Sequence, residues 1–276
     1  MNADLHSHST VSDGSLTPAE VVHRAIANGV TMLALTDHDE TGGLDEAFVA
    51  ARDTALRLIA GVEISVSYLN ESVHIVGLNI DHRNEMLRSG LVRIRQGRGE
   101  RAERMGEAFA ALGIPDVLAG ARHFARNPDL VGRAHFARYL VSIGVAPDVH
   151  SVFENYLVPG KPGFVEHEWA TLDEAVTWIR TAGGVAVVAH PARYRFTVLQ
   201  TDALFDRFIA CGGEGVEVVS GSHSDKDVMR YAHLARTRGL LASRGSDFHA
   251  EGESQTDLGR CAALPSGLTP VWSRWQ

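Results

Sequence analysis

The stretch TPAEVVHRAIANGVTMLALTDHD, Thr17–Asp39, contains one full unit of the pattern that decides the fold. Thr17 can cap a helix, Pro18 suits the first helical position, and Glu20 can reach back to the cap from the third. Gly29 closes that helix, and MLALT at 32–36 follows as a short apolar run of buried-strand length. His38 stands just beyond the end of this strand. The same helical caps recur outward along the chain, in TLDE from Thr171 to Glu174 and in SDKD from Ser224 to Asp227. Those helices end at Gly183–Gly184 and at Gly239. Further strands are expected at residues 3–6, 58–66, 73–80, 185–190, 215–220 and 240–246. Strands alternating with capped helices predict parallel βαβ units, and about seven of them favour a closed or distorted barrel over an open sheet. The fold class is therefore α/β, and 276 residues suit one barrel.

The middle of the chain breaks this rhythm. No convincing strand occurs from about Asn84 to Gly163, but MLRSGLVRIRQGRGERAERMGEAFAALG and RAHFARYLVSIG read as helices. The expected layout is a first barrel part over 1–83, a helical insertion over 84–163 serving as a substrate lid, and a second barrel part over 164–276. The tail PSGLTPVWSRWQ is expected to pack through its two tryptophans.

Composition excludes several classes. With 45% hydrophobic and 22% charged residues this is an ordinary globular chain. Its longest apolar runs, such as VAVVA at 185–189, are too short to span a bilayer. The opening MNADLHSH has neither the basic nor the apolar region of a secretion signal, and Cys211 and Cys261 are the only cysteines, so a reducing cytoplasm is expected. A net charge of -8 disfavours binding to long nucleic acid, which depends on neutralising phosphates. A small phosphorylated ligand in a local basic pocket remains compatible with it.

The fourteen histidines are the unusual feature. Residues two apart in a strand share a side, so His6 and His8 can project together, as can Asp247 and His249. His38, Glu63 and His190 also lie at or near strand ends, and in a parallel barrel the C-terminal strand ends share one face. His74 falls at the start of its strand and would fit best if that strand ran antiparallel. With Asp13 the set is His6, His8, Asp13, His38, Glu63, His74, His190, Asp247 and His249. A lone histidine at a strand end is usually a structural hydrogen-bonder. This many polar groups buried together without a partner would be costly, and metal is the economical explanation. Nine nitrogen and oxygen donors exceed one tetrahedral ion and suit two or three divalent ions: Mn²⁺, Zn²⁺ or Fe²⁺ rather than a thiolate-bound structural zinc.

On DLHSHSTVSDG, LALTDHD, GVEIS, VHIVGLNID, VVAHPARY and GSDFH, with VGRAHFARYLV and YLVPGKPGFV in the middle segment, the chain resembles the polymerase and histidinol phosphatase (PHP) family of metal-dependent phosphoesterases. The resemblance implies a distorted (β/α)7 barrel of TIM-like type with a trinuclear centre, commonly of manganese. It implies that His6, His8, Glu63 and Asp247 hold one ion, with Glu63 bridging to a second held by His74 and His190. Asp13, His38 and His249 would hold the third. The expected reaction is attack by a hydroxide bridging the ions on a phosphate monoester, releasing the 3'-phosphate of a nucleoside carrying 3' and 5' phosphates. No nucleophilic side-chain motif is present to compete with it.

Substrate selection would fall to cations near the centre. Arg193 follows His190 closely, GRAH sets Arg133 and His135 at a helix start suited to anions, and GKPG offers Lys161 on a glycine-flanked loop. Arg95, Arg98, Arg101 and Arg104 recur every third residue and sweep half a helix circumference. A solvated face explains most of them, with Arg101 and Arg104 as the pair that could close over substrate. Asp37 and Asp39 flank His38 and could either support it or cap the next helix. His23, His82, His123, His150, His167, His223 and His233 lack a ligand-like setting. Alternatives are a phosphatase for another small monoester such as histidinol phosphate, a 5'-to-3' exonuclease on short RNA, or a catalytically silent metal module. A metal-dependent amidohydrolase usually needs a bridging lysine, and no lysine precedes Lys161.

Overall fold

Seven strands follow one another in chain order around a nearly closed barrel: β1 (Ala3–Asp4), β2 (Met32–Leu35), β3 (Arg57–Tyr68), β4 (Glu71–Leu78), β5 (Val185–Val188), β6 (Gly215–Ser220) and β7 (Leu241–Gly245). This is a computed structural model, and it describes residues 1–275. The chain continuing from β1 meets the β7 side through hydrogen bonds from Leu5 N–H to Arg244 carbonyl (3.0 Å) and from His8 N–H to Phe248 carbonyl (2.9 Å). Gly245 permits this closure, because a Cβ there would come within 2.3 Å of the His6 Cβ.

The six pairings between successive strands are not uniformly parallel: four are parallel and two antiparallel. The expectation of repeated parallel units fails at β3 and β4, which form an antiparallel hairpin turned at Leu69–Asn70, both with positive φ. β4 also runs antiparallel to β5, while the remaining pairs are parallel. The hairpin is what distorts the barrel, and it brings the start of β4, with His74, to the face where the parallel strands end. Ser65 pairs with His74 across the hairpin.

The capped helices form as their sequences predict. Thr17 and Glu20 make a capping box on α1 (Pro18–Ala27), Thr171 and Glu174 on α7 (Leu172–Thr181), and Ser224 and Asp227 on α9 (Asp225–Arg238). Gly239 ends α9 at φ 68°. With α2 (Leu44–Ala51) and α8 (Val198–Ala210) these helices cover the strands. Val62, Ile64 and Val66 of β3 face that helical layer, and residues of the other parity, as in Met32, Ala34, Val76 and Val187, fill the barrel interior. Val271, with Trp272 and Trp275, packs against the interior cluster, so the tail closes it as expected.

Between β4 and α7 the described chain is helical: α3 (Glu85–Ala111), α4 (Val117–Phe124), α5 (Arg133–Ser142), α6 (Val149–Val152) and a π-turn over Phe153–Leu157. Met105, Phe109, Phe136, Leu140 and Leu157 form a separate apolar cluster there, while Leu87, Leu91 and Ile94 at the start of α3 join the outer core of the barrel. α3 thus belongs to both layers. No helix among the described residues is long and apolar enough to cross a membrane.

The arginines of α3 correct a sequence-based expectation. Of the run Arg95, Arg98, Arg101 and Arg104, Arg98 and Arg101 are buried and Arg95 is mostly so, and Arg104 alone faces solvent. A three-residue step turns a helix by about 60° short of a full circle, so Arg95, Arg98 and Arg101 share one face. On that face Arg95 and Arg98 meet Glu40 and Asp39 of the barrel, and Arg101 packs over Trp169. Asp37 and Asp39 do not cap α2, whose N-cap is Gly43 without a side-chain bond.

Candidate metal centre

Glu63, fully buried on β3, is the hub. Its Oε1 lies 2.9 Å from His74 Nδ1 and 3.0 Å from His190 Nε2, and its Oε2 lies 2.9 Å from His38 Nδ1. His6 Nε2 and His8 Nε2 face each other at 3.1 Å, each 3.3 Å from a Glu63 oxygen. Asp247 Oδ1 completes that corner, 3.2 Å from His8 Nε2 and 3.5 Å from His6 Nε2. Asp13 lies 3.3 Å from His249 Nε2, 3.9 Å from His8 Nδ1 and 4.0 Å from His38 Nε2. All nine residues named from the sequence therefore meet in one place. Asp247 and His190 take positive φ, 55° and 27°, and Asp39 beside His38 takes 51°, backbone strain concentrated at the strand ends that carry the donors.

The donor set fits divalent cations. Glu63 Oε2, His38 Nδ1 and His190 Nδ1 are buried without a well-formed hydrogen bond. Ligands about 2.1 Å from one ion sit about 3 Å apart at adjacent coordination positions, which is the spacing seen here. Four overlapping groups could each hold an ion: His8 with Asp13, His38 and His249; His6 with Glu63 and His190; His6 with His8 and Asp247; and His38 with Glu63 and His74. This grouping departs from the expected partition, since His8 joins the Asp13 group and His38 serves both that group and Glu63.

Electrostatics agree with cation binding. Burial alone would raise Glu63, but His38, His74 and His6 hold its carboxyl well below the usual range. Burial is likewise outweighed at Asp247 by His6 and Arg193, and at Asp13 by His249 and His38. Burial drives His8 down to about 3 and His74 to about 4, keeping these imidazoles neutral and able to donate. At His249 burial opposes the charge, yet Asp13 and Asp247 raise it to about 9.

Supporting groups lie one layer behind. Glu217, buried on β6, accepts from His6 Nδ1 (2.6 Å) and from the His190 backbone N–H (2.6 Å). The Tyr194 hydroxyl accepts from His74 N–H (2.9 Å) and donates to the Ala189 carbonyl (2.8 Å). Asp37 accepts from Ser9 N–H and from the hydroxyls of Ser9 and Ser12, fixing the loop between His8 and Asp13. Asp39 accepts from Ser65 N–H (2.7 Å) and from Arg98 Nε (2.7 Å). Sequence reading passed over Glu217 and Tyr194, and took Arg98 as part of a mostly solvated run. A single acid inside the apolar run GVEVVS was the available signal for the first.

The expected substrate contacts divide. Arg193 reaches the centre, its Nη1 2.5 Å from Asp247 Oδ2, with half its side chain exposed. Arg133 opens α5 with its guanidinium over the Phe153 ring. Arg101 is buried over Trp169 and donates to the Val165 carbonyl (3.0 Å). Burial and the guanidiniums of Arg133, Arg98 and Arg104 push Arg101 down to about 8; burial, Arg98 and Arg193 push Arg133 to about 10. His135 uses Nδ1 to accept the Gly132 N–H (3.0 Å), and burial takes it down to about 4. Lys161 sits exposed on its turn, and Arg104 stands outside beside His167 (3.4 Å).

The PHP domain model matches residues 4–182. A 3',5'-nucleoside bisphosphate phosphatase of Chromobacterium violaceum is 50% identical over 98% of this chain and 95% of its own. The 5'-3' exoribonuclease Rnm of Escherichia coli K12 is 41% identical over 99% of this chain and 93% of its own. A solved Chromobacterium violaceum structure, described as an amidohydrolase with bound SO4 and no metal, superposes with a TM-score of 0.96 at 50% identity, covering 99% of this chain and 95% of that one.

Proposed function

This chain belongs to the PHP family and is a metal-dependent phosphoesterase, and from that premise we propose that it removes the 3'-phosphate of nucleoside 3',5'-bisphosphates, leaving the nucleoside 5'-monophosphate. The observation that carries the proposal is a pair of buried guanidiniums, Arg101 and Arg133, that form no ion pair among the described residues, with Arg133 close enough to feel both Arg193 and Asp13 of the centre. Guanidiniums destabilised by burial, and further by repulsion among themselves, are relieved by a bound anion. Two cationic positions, Arg193 at the donor cluster and Arg133 with Arg101 near it, suit a substrate with two phosphates. The relative named for that activity supports the same substrate.

In this reading three divalent ions, manganese first and zinc or iron as alternatives, are held by His6, His8, Asp13, His38, Glu63, His74, His190, Asp247 and His249. When bound, such ions make water nucleophilic near neutral pH and stabilise charge on phosphoryl oxygens. The chain's own residues do the rest. Glu217 aims His6 and His190, just beyond the ends of β1 and β5, and Tyr194 aims His74 on β4. Arg193, paired with Asp247, swings its free edge toward a phosphoryl oxygen at the mouth. Arg133 and Arg101, with the first turn of α5, take the second phosphate, and the helical segment over 84–163 acts as the lid that excludes water. His135, Lys161 and Arg104 are assigned to the rim of this pocket.

A second reading, stepwise removal of nucleotides from the 5' end of short RNA, is favoured by the relatives named as exoribonucleases. The deciding experiment measures phosphate release by the manganese-loaded enzyme from nucleoside 3',5'-bisphosphates, mononucleotides, histidinol phosphate and short RNA. The proposal expects kcat/KM for the bisphosphate to exceed that for each mononucleotide by at least about tenfold, as one charge-assisted contact would supply. Equal values, or mononucleotide release from RNA as the faster reaction, would overturn it.

A further inference from the structure

The donors fall into two sets according to what holds them. His6, His8, Glu63, His74, His190 and Asp247 make no hydrogen bond or ion pair with the helical segment among the described residues. Barrel groups support them instead: Glu217 for His6 and His190, and Tyr194 for His74. Asp13, His38 and His249 lie on three loops, and each of these loops is gripped by an arginine of the helical segment. Arg138 on α5 donates through Nη1 to the Asp13 carbonyl (2.8 Å). The same guanidinium holds the Glu253 carboxylate through Nε (3.0 and 3.1 Å) and Nη2 (2.8 Å). Glu253 adjoins Ser254, whose hydroxyl accepts the His249 N–H (2.8 Å). On α3, Arg98 holds the Asp39 carboxylate, and Arg95 donates to the Asp39 carbonyl (2.8 Å) and pairs with Glu40 (3.2 Å). Asp39 is the residue after His38.

We propose that Arg138 and Arg98 are positioning residues for the ion site formed by Asp13, His38 and His249 together with His8, so that filling this one site is coupled to docking of the helical segment on the barrel. The inference rests on the metal-centre reading above. Coupling of this kind is reciprocal: docking raises affinity for that ion, and the ion stabilises the docked segment by the same free energy. The groups of His6 with Glu63 and His190, and of His6 with His8 and Asp247, contain none of these three loop donors and stand outside this linkage. The arrangement makes the outermost ion the one that reports whether the lid is in place.

The test uses the full chain and Mn²⁺ as the probe. Bound Mn²⁺ is counted by equilibrium dialysis across a range of free concentrations for the wild type, Arg138→Gln, Arg138→Lys and Glu253→Gln. Hydrogen exchange over residues 85–157 is followed with and without Mn²⁺. Removal of a group that supports a metal ligand typically weakens binding 10–100-fold. The expected result is that loss for one class of ion in Arg138→Gln and Glu253→Gln, with the remaining ions bound as in wild type. Mn²⁺ should slow exchange in the segment of the wild type and not in these two variants, and Arg138→Lys should recover part of both effects. Glu253→Gln removes the same clamp from the barrel side, so a folding defect confined to Arg138→Gln does not decide the matter. Uniform weakening of all ions, or unchanged binding with unchanged protection, would overturn the inference. A wild type that binds no divalent ion would instead overturn the metal centre itself.

Discussion

Two nearly identical tetrapeptides, GVEI on β3 and GVEV on β6, place buried glutamates on separate strands of the barrel, and the two acids do different work. Glu63 turns both oxygens toward histidine rings. Glu217 meets one ring from behind, at His6 Nδ1, and spends its other oxygen on the His190 backbone N–H. The local sequence is the same; the neighbours that each strand meets around the barrel decide whether the acid is a donor to the centre or a brace behind it. A brace fixes the ring's orientation and tautomer and strengthens the donor it supports.

Glu63→Gln should separate the two acids most sharply. It removes a charge shared by several donors, and turnover should fall by more than about 10³-fold, beyond the 10–100-fold expected for a supporting group, with the circular dichroism spectrum retained. Added Mn²⁺ should not restore it. Glu217→Gln should act through affinity: the amide oxygen can accept from His6 or from His190, while its NH2 group opposes the other donor. Mn²⁺ binding should weaken about 10–100-fold and excess Mn²⁺ should restore turnover. If both variants respond alike to added metal, the distinction between donor and brace is lost.

The pH dependence sharpens the contrast from the loop side. His249 is raised to about 9 by Asp13 and Asp247 against the effect of burial, so it carries a proton at pH 7 when no cation is bound. A cation must displace that proton, and Mn²⁺ affinity should fall about tenfold for each pH unit below about 9 per proton displaced. Calorimetric titrations in buffers of different ionisation enthalpy should detect proton release in the wild type and less of it in Asp13→Asn. Equal release would detach His249 from the centre. A smaller effect is expected at His135, which burial takes from 6.5 to about 4. The unfolded chain then gains its proton first as pH falls, so stability drops between pH 6.5 and 4. The slope is at most about 1.4 kcal/mol per pH unit, and His135→Asn should flatten it in metal-free denaturant melts.

Much of this architecture is legible in the chain itself. All seven strands and the capping boxes on Thr17, Thr171 and Ser224 lie where apolar runs and cap residues place them, because both signals are local. The direction of β4 is not local. A strand buried on both faces reads the same in either direction, and only His74, stranded at the start of its run, hints at the hairpin. Glu217 was illegible for a related reason: one acid in a buried strand does not say what stands opposite. The α3 arginines mislead differently, since an arginine run looks solvated until the acidic loop it docks against, Asp39–Glu40, is placed beside it.

Six imidazoles and three carboxylates converge at the barrel mouth in the arrangement that bound cations require. Elemental analysis of the purified, fully active enzyme, before and after chelation, measures this directly. About three tightly held divalent transition-metal ions per chain are expected, removed together with phosphatase activity and restored with it on adding Mn²⁺. Full activity in protein holding less than one such ion per chain would contradict it.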